Sequence, residues 1–314
     1  MKILVTRGAG FIGSNVAERM RGHGLQVVVL DNLSTGSREN LHEDDAFYEA
    51  DLREAQAVRT LFAAEKPDYV CHHGAQIDVR RSTREPRFDA EVNIIGSLNL
   101  IQAAAESGVS KFVYASTGGA IYGEPEYVPA DEKHPVQPIS QYGISKHTVE
   151  HYLFLYGKLY GLPWTVLRYA NVYGPRQTPH GEAGVVAIFA GRLLSGKQPT
   201  IFGDGKDTRD YCFVGDIVEG NARALTAGEG EIFNLGTGVP TSTLEVFEAV
   251  RDVVGARGIA PHFGEERLGE VHHIYLDATK AKTGLGWEAR VDFREGVRRS
   301  VDFYRSYFAS AAGS

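Results

Sequence analysis

Thr6-Arg7-Gly8-Ala9-Gly10-Phe11-Ile12-Gly13-Ser14 is the stretch that decides the fold. It lies between an apolar, β-branched run at residues 2–6 and an amphipathic pattern over 11–23. A strand that feeds a glycine turn and then a helix N-terminus makes a pyrophosphate site. Free N–H groups and the helix dipole face the anion, and missing side chains allow close approach. Gly10 is expected to give that approach and Gly13 the tight helix–sheet packing. A second strand, 26–30, ends in Leu30-Asp31-Asn32-Leu33-Ser34. A carboxylate there accepts hydrogen bonds from a ribose diol and repels a 2′-phosphate, so NAD is favoured over NADP. Arg7 stands where a G-x-x-G-x-x-G spacing has its first glycine. Non-glycine residues disfavour φ > 0. Either Gly8 carries the turn or the site is strained; in a third reading the guanidinium reaches a phosphate.

Working outward, further strands are expected at 46–49, 69–72, 111–116 and 164–169, with helices at 55–65, 87–107 and 142–160. Near-continuous apolar strands separated by helices imply right-handed crossovers and a parallel sheet covered on both faces. The fold class is therefore α/β, a Rossmann-type doubly wound parallel sheet with a smaller, interwoven C-terminal substrate domain. Beyond Pro175 the rhythm loosens, with helices expected at 185–195, 244–254 and 293–308 and short strands at 199–202 and 231–234. The division expected is 1–174 for the dinucleotide domain, with part of 205–240 returning to it, and 175–314 for substrate.

The charge balance, 33 Lys+Arg against 40 Asp+Glu, carries no basic excess of the kind nucleic-acid binding needs. Two cysteines, Cys71 and Cys212, make no disulfide framework and no metal spacing. The N-terminus lacks the apolar core of a secretory signal, and no stretch approaches membrane-spanning length. The expectation is a cytoplasmic protein with neither nucleic-acid nor membrane partner. The 36 glycines are in excess and point to tight turns and close backbone approaches to ligands.

Tyr142-Gly143-Ile144-Ser145-Lys146 opens the helix after a turn-rich segment. The i, i+4 spacing sets phenol and ammonium on one face. A lysine cation beside a phenol lowers the tyrosine pKa towards neutrality, which suits proton transfer to or from a substrate hydroxyl. The preceding strand ends in Ser116-Thr117-Gly118-Gly119, at the edge where open α/β sheets bind ligands. Its hydroxyls complete a Thr/Tyr/Lys set, with Ser116 and Thr117 both candidates. Asn171, after the next strand, is placed to bind a polar substrate or to form a turn.

These segments, with Arg168-Tyr169-Ala170-Asn171-Val172-Tyr173-Gly174-Pro175-Arg176, closely resemble the extended short-chain dehydrogenase/reductase family. Within it the pattern is similar to that of the UDP-glucose 4-epimerases, over about residues 1 to 308. The resemblance implies tightly bound NAD, with cofactor contacts from Gly10, Phe11, Ile12, Gly13, Asp31, Asn32, Leu33, Ser34, Thr35, Gly36, Asp51, Leu52, His73, Gly74, Ala75, Gln76, Asn93, Ser116, Tyr142, Lys146, Tyr169 and Ala170. It implies a catalytic set of Thr117, Tyr142 and Lys146, and a UDP-sugar substrate held by Thr117, Tyr142, Asn171, Phe202, Arg209 and Arg267. Two arginines suit a diphosphate because the guanidinium is a planar, permanently charged, bidentate donor. The implied activity is interconversion of UDP-glucose and UDP-galactose, a step of galactose metabolism, by a homodimer formed through the helices near 87–107 and 142–160.

Alternatives share the first step: a 4,6-dehydratase, a UDP-glucuronate decarboxylase, or an epimerase of N-acetylated or uronic sugars. Dehydratases of the family carry Asp-Glu after the catalytic Thr, where this chain has Gly118-Gly119. A non-catalytic NAD-binding regulator is the reading from another class, and Arg7 is the feature in its favour. Gly191-Arg192-Leu193-Leu194-Ser195-Gly196-Lys197-Gln198 imitates a P-loop but lacks its Ser/Thr and follows a helix, so a helix end is expected. The adjacent pairs His72-His73 and His272-His273 do not converge as ligands should, and no metal is expected.

Overall fold

The computed structural model describes residues 1–179, 184–266 and 271–312, with side chains described through residue 309. The first half of the chain alternates strand and helix: β1 (Lys2–Thr6), α1 (Phe11–Gly22), β2 (Gln26–Asp31), β3 (Ala46–Glu49), α2 (Ala55–Glu65), β4 (Tyr69–His72), α3 (Val79–Arg84), α4 (Pro86–Ala90), α5 (Gly96–Glu106), β5 (Lys111–Thr117), α6 (Gly118–Ile121), α7 (Gln141–Tyr160) and β6 (Trp164–Tyr169). The second half is more broken: β7 (Asn171–Tyr173), α8 (Val185–Leu194), β8 (Thr200–Phe202), β9 (Thr208–Phe213), α9 (Val214–Ala224), β10 (Glu231–Leu235), β11 (Pro240–Ser242), α10 (Thr243–Val254), β12 (His262–Gly264), β13 (His273–Ile274), α11 (Thr279–Gly284) and α12 (Phe293–Ala312).

The larger sheet has the order β10-β6-β5-β4-β1-β2-β3, and every pair in it is parallel. Along β1 successive side chains take opposite faces. Ile3 and Val5 join one buried cluster with Val16 and Met20 of α1, while Leu4 joins the other with Leu61, Leu100 and Val149 of α2, α5 and α7. Covering both faces is what makes the strands read as unbroken apolar runs. The strand order reverses between β1 and β4, and ligands of such sheets bind at that switch point. Register sets Thr6 opposite Leu30 and His72, and Thr117 opposite Tyr169, so these residues share one carboxyl edge.

Two differences from the sequence reading matter for the site. The helix expected over 87–107 is interrupted: a π-helical turn, Glu91–Ile95, separates α4 from α5. Between 202 and 231, where the sequence reading named no element, the fold holds β9 and α9, and β9 is the hub of a second sheet, pairing with β7, β11 and β13. Through β10 the second half returns to the large sheet beside β6. Among the described residues no helix is long and apolar enough to cross a membrane.

Candidate active site

The groove at the switch point is built from the loops after β1, β2 and β4. The N-terminus of α1 is capped by Gly10 with no side-chain hydrogen bond, and its first turn has no acidic residue, so its N–H groups and dipole are open to an anion. Gly13 has no alternative: a β-carbon there would lie 2.2 Å from the Arg7 carbonyl oxygen. Of the readings left open for Arg7, the structure takes strain: Arg7 itself adopts φ 55, and Gly8 does not carry the positive φ. The left-handed backbone costs a residue with a β-carbon roughly 1–2 kcal/mol.

Asp31 is buried and ties the loops together, Oδ2 accepting from Ala9 N at 3.0 Å and Oδ1 from Leu33 N at 2.9 Å. Asn32 donates to Asp51 Oδ2 at 2.9 Å, and Ser34 N donates to Asn32 Oδ1 at 3.1 Å. Arg53 holds the Asp51 carboxyl down at about 2, so it is ionised. Asp51, Arg53, Glu54, Glu91 and Ile95 line a cavity of 380 Å³. Buried Leu52 packs beneath Gly74 and Gly96 at this end of the groove. Phe11 and Ile12 open α1, and Thr35 and Gly36 close the loop over Asp31.

On the opposite wall Thr6 Oγ1 accepts from His73 N at 3.0 Å and Gly74 N at 2.8 Å. Asn93, set by the π-helical turn, clasps the Gln76 backbone, accepting from its N–H at 2.7 Å and donating to its carbonyl at 2.9 Å. Such turns recur at functional sites. His73 Nε2 meets the Tyr169 hydroxyl at 3.2 Å, and burial pulls its pKa down to about 3, so the ring is neutral. Ala170 N pairs with Leu235 O, which fixes the end of β6 against β10. His72 has both ring nitrogens engaged, by Thr6 and Ser97, and is a core residue. Among the described residues no group of three or more His, Cys, Asp and Glu side chains is set to hold a metal.

Beside the groove stands the Thr/Tyr/Lys set. Ser140 Oγ accepts from Gly143 N at 3.1 Å, and this cap starts α7 so that Tyr142 falls in its first turn. Lys146, one turn on, donates to the Ala115 carbonyl at 2.7 Å and lies 5.9 Å from the Tyr142 ring centre. Thr117 is within hydrogen-bonding reach of the Tyr142 phenol. Ser116 points elsewhere, its hydroxyl donating to buried Glu150 at 2.6 Å. The phenol does not approach neutrality here: burial pushes Tyr142 up to about 12, opposed chiefly by the Arg7 cation. Burial also pulls Lys146 down to about 7, with Arg7 acting in the same direction. Asp89, which the sequence reading passed over, is buried and accepts from Ser145 Oγ at 2.6 Å and from Asn93 Nδ2 at 3.1 Å. It locks α7 to the π-helical turn and so orients Tyr142 and Lys146 together.

The Lys146 shift has a consequence for stability. Its folded pKa, about 7, lies below its unfolded value of 10.5. Between the two the unfolded chain binds a proton that the folded chain does not, so this residue makes stability rise with pH across that window. Comparing denaturant unfolding of Lys146→Met with the parent at pH 7 and pH 9.5 is expected to show a smaller rise in the variant. Equal rises would contradict the burial of this ammonium.

A second cavity of 710 Å³ borders the catalytic edge. Its lining includes Asn171, Phe202, Arg209 and Tyr211, and also Arg192 and Lys197. Three of the expected substrate contacts thus share one cavity; Arg267 lies outside the described residues. Arg209 Nη1 donates to the carbonyls of Thr208 and His272, and among the described residues it forms no ion pair. Arg192 and Lys197 come from the P-loop look-alike, which is the end of α8; the only sequence signal for them was that basic helix end.

The glycine turn at the head of α1, the Thr117, Tyr142 and Lys146 set and the arginine-lined cavity are the features of an enzyme of the short-chain dehydrogenase/reductase type. The chain belongs to the NAD dependent epimerase/dehydratase family, whose sequence model matches residues 3–236. A UDP-glucose 4-epimerase of Mycolicibacterium smegmatis is 47% identical over 312 residues, 98% of this chain and 99% of that protein. The crystal structure of a UDP-glucose 4-epimerase from Thermotoga maritima with UDP-glucose superposes with a TM-score of 0.96 at 47% identity, covering 98% of this chain and all of that one. A Thermus thermophilus UDP-glucose 4-epimerase in complex with NAD gives 0.92 at 47% identity, over 97% and 99% of the two chains.

Proposed function

We propose that the protein interconverts UDP-glucose and UDP-galactose, inverting C4 through a 4-keto sugar. The carrying observation is that Thr117, Tyr142 and Lys146 come together at the carboxyl edge of the sheet, close enough to Arg7 of the β1–α1 turn for its charge to act on the phenol and the ammonium. The uncapped helix, the Gly13 contact and the Asp31 carboxylate fit NAD, which supplies a hydride acceptor at C4 that then returns the hydride. Tyr142 takes the proton of the sugar 4-hydroxyl and later gives it back, while Thr117 hydrogen-bonds the same oxygen. Lys146 supports the charge that develops on the phenol. Arg209 holds the diphosphate, Phe202 lies against the uracil and Asn171 meets the sugar. Holding the diphosphate while leaving the hexose free lets the keto sugar present its other face.

Gly118 separates this reading from the dehydratase. Gly118-Gly119 supply no acid for elimination, and a β-carbon at Gly118 would lie 2.4 Å from Leu276 Cδ1, so an acidic side chain there requires the Leu276 side chain to shift. The cofactor half is residues 1–174 with β10, and the sugar-nucleotide half is most of 175–314. Exposed Ile144, Phe154, Leu155, Leu159 and Tyr160 along α7 support a homodimer, to be checked by solution mass.

Incubation with UDP-galactose and a trace of NAD is expected to yield UDP-glucose in excess over the nucleotide, without accumulation of NADH. A 4-keto-6-deoxy product would establish the dehydratase instead, and no turnover by either route would remove the enzyme reading.

A further inference from the structure

Arg7 breaks the glycine pattern, and its side chain lies in the groove that the pattern builds. Its backbone is fixed at φ 55 by Arg7 N donating to Leu30 O at 2.7 Å and Gly10 N donating to Arg7 O at 3.0 Å. This sets the direction of the side chain, whose stem runs over Gly10. A β-carbon built on Gly10 would meet Arg7 Cγ at 3.1 Å and Nε at 3.4 Å. The guanidinium then crosses the switch point. Nη1 donates to the Ala75 carbonyl at 2.8 Å, beyond β4, and Nη2 donates to Thr35 Oγ1 at 2.6 Å, beyond β2. Neither acceptor is a carboxylate. The bonds serve as a tie between two walls and satisfy no ion pair.

We infer that Arg7 competes with NAD for this groove, so that the dinucleotide binds only in exchange for the Arg7 side chain and remains exchangeable with solution. The inference rests on the reading of the groove as the NAD site. The stem covers Gly10, where a diphosphate must come close to reach the open N–H groups of α1. The backbone is pinned on both sides, so making room for the diphosphate falls to the side chain, whose stem has to turn off Gly10 as the guanidinium leaves. A ligand that needs a minor open arrangement binds with an affinity reduced by the population of that arrangement. Here opening breaks two charge-assisted hydrogen bonds, each worth more than a neutral one. A role as a diphosphate ligand has the opposite sign, because removing the guanidinium would then weaken binding.

The test is calorimetric titration of NAD into the wild-type protein, Arg7→Gly and Arg7→Asn. Glycine removes both the side chain and the backbone strain. Asparagine tolerates the left-handed conformation and removes the guanidinium and most of the stem. Both variants are expected to bind NAD about tenfold more tightly than wild type, or better, on the loss of two such bonds. Unchanged or weaker binding in both would overturn the inference while leaving the groove reading in place. Tightening in the glycine variant alone would also overturn it, since the effect would then belong to backbone strain. Absence of NAD binding in all three proteins would remove the groove reading and the inference together.

Discussion

Tyr142→Phe is expected to lower kcat for UDP-galactose by about 10²–10⁴-fold, the usual contribution of a positioned acid–base group, with little change in KM or in unfolding midpoint. The substitution removes one oxygen and keeps the ring, so the first turn of α7 and its Ser140 cap are undisturbed. What disappears is the phenol hydroxyl on which Thr117 acts. The neighbouring Tyr114 cannot stand in. Its side chain is fully buried beneath Lys146, whose ammonium sits 4.8 Å from its ring centre, and burial holds its pKa well above the ordinary range. Steady-state kinetics on both proteins, with NAD saturating, decide the matter. Activity retained within about tenfold would mean that another group moves the proton.

The largest effect on stability is expected from Arg168→Met, about 3–5 kcal/mol, as when one partner of a buried ion pair is removed. Arg168 reaches Glu150 through Nη2 at 2.6 Å and Nε at 3.0 Å, with both side chains almost completely buried. Its remaining nitrogen donates to the Tyr122 hydroxyl at 3.0 Å, which donates to Asn234 Oδ1 at 2.7 Å. The network therefore ties α7, β6, the residue that ends α6, and β10, and through Ser116 it reaches β5. Burial pushes the Glu150 carboxyl pKa up, and the bonds from His147 and Arg168 more than offset that, keeping it below the ordinary range. Without the guanidinium the carboxylate keeps the burial and loses its main compensation. The paired variant Glu150→Met with Arg168→Met is expected to recover most of the loss, because replacing both charges by apolar groups is often neutral. Denaturant unfolding of the three proteins reads this directly. A single variant within about 1 kcal/mol of the parent, a loss below the range for such pairs, would show that the pair contributes little.

Much of the site was legible locally. The β1–α1 turn is encoded by short-range chemistry: glycines where backbone must come close, and a helix start with free N–H groups. The same holds for α7, where the Ser140 cap and the i, i+4 pair lie within seven residues of each other. What was not legible depends on partners far away in sequence. The π-helical turn at 91–95 exists where Asn93 reaches the Gln76 backbone and Asp89, and an apolar pattern over 87–107 carries no trace of that pull. Strand β9 was not named from the sequence, and Asp210 interrupts its apolar pattern. In the fold this carboxylate is buried and satisfied by donors from Thr237, Gly238 and Leu276. Arg7 was visible as an exception, but its reach to Ala75 and Thr35 required the register of β1, β2 and β4. The raised phenol pKa of Tyr142 likewise follows from burial, which spacing does not reveal.

Oxidation and re-reduction at one carbon can be followed with UDP-galactose carrying deuterium at C4, incubated in ordinary water with a trace of NAD. The expected product is UDP-glucose with the deuterium still at C4, because the hydride that leaves is the one that returns. Deuterium found at C6 of a 4-keto-6-deoxy sugar, or lost to solvent from C4, would contradict epimerisation by this route.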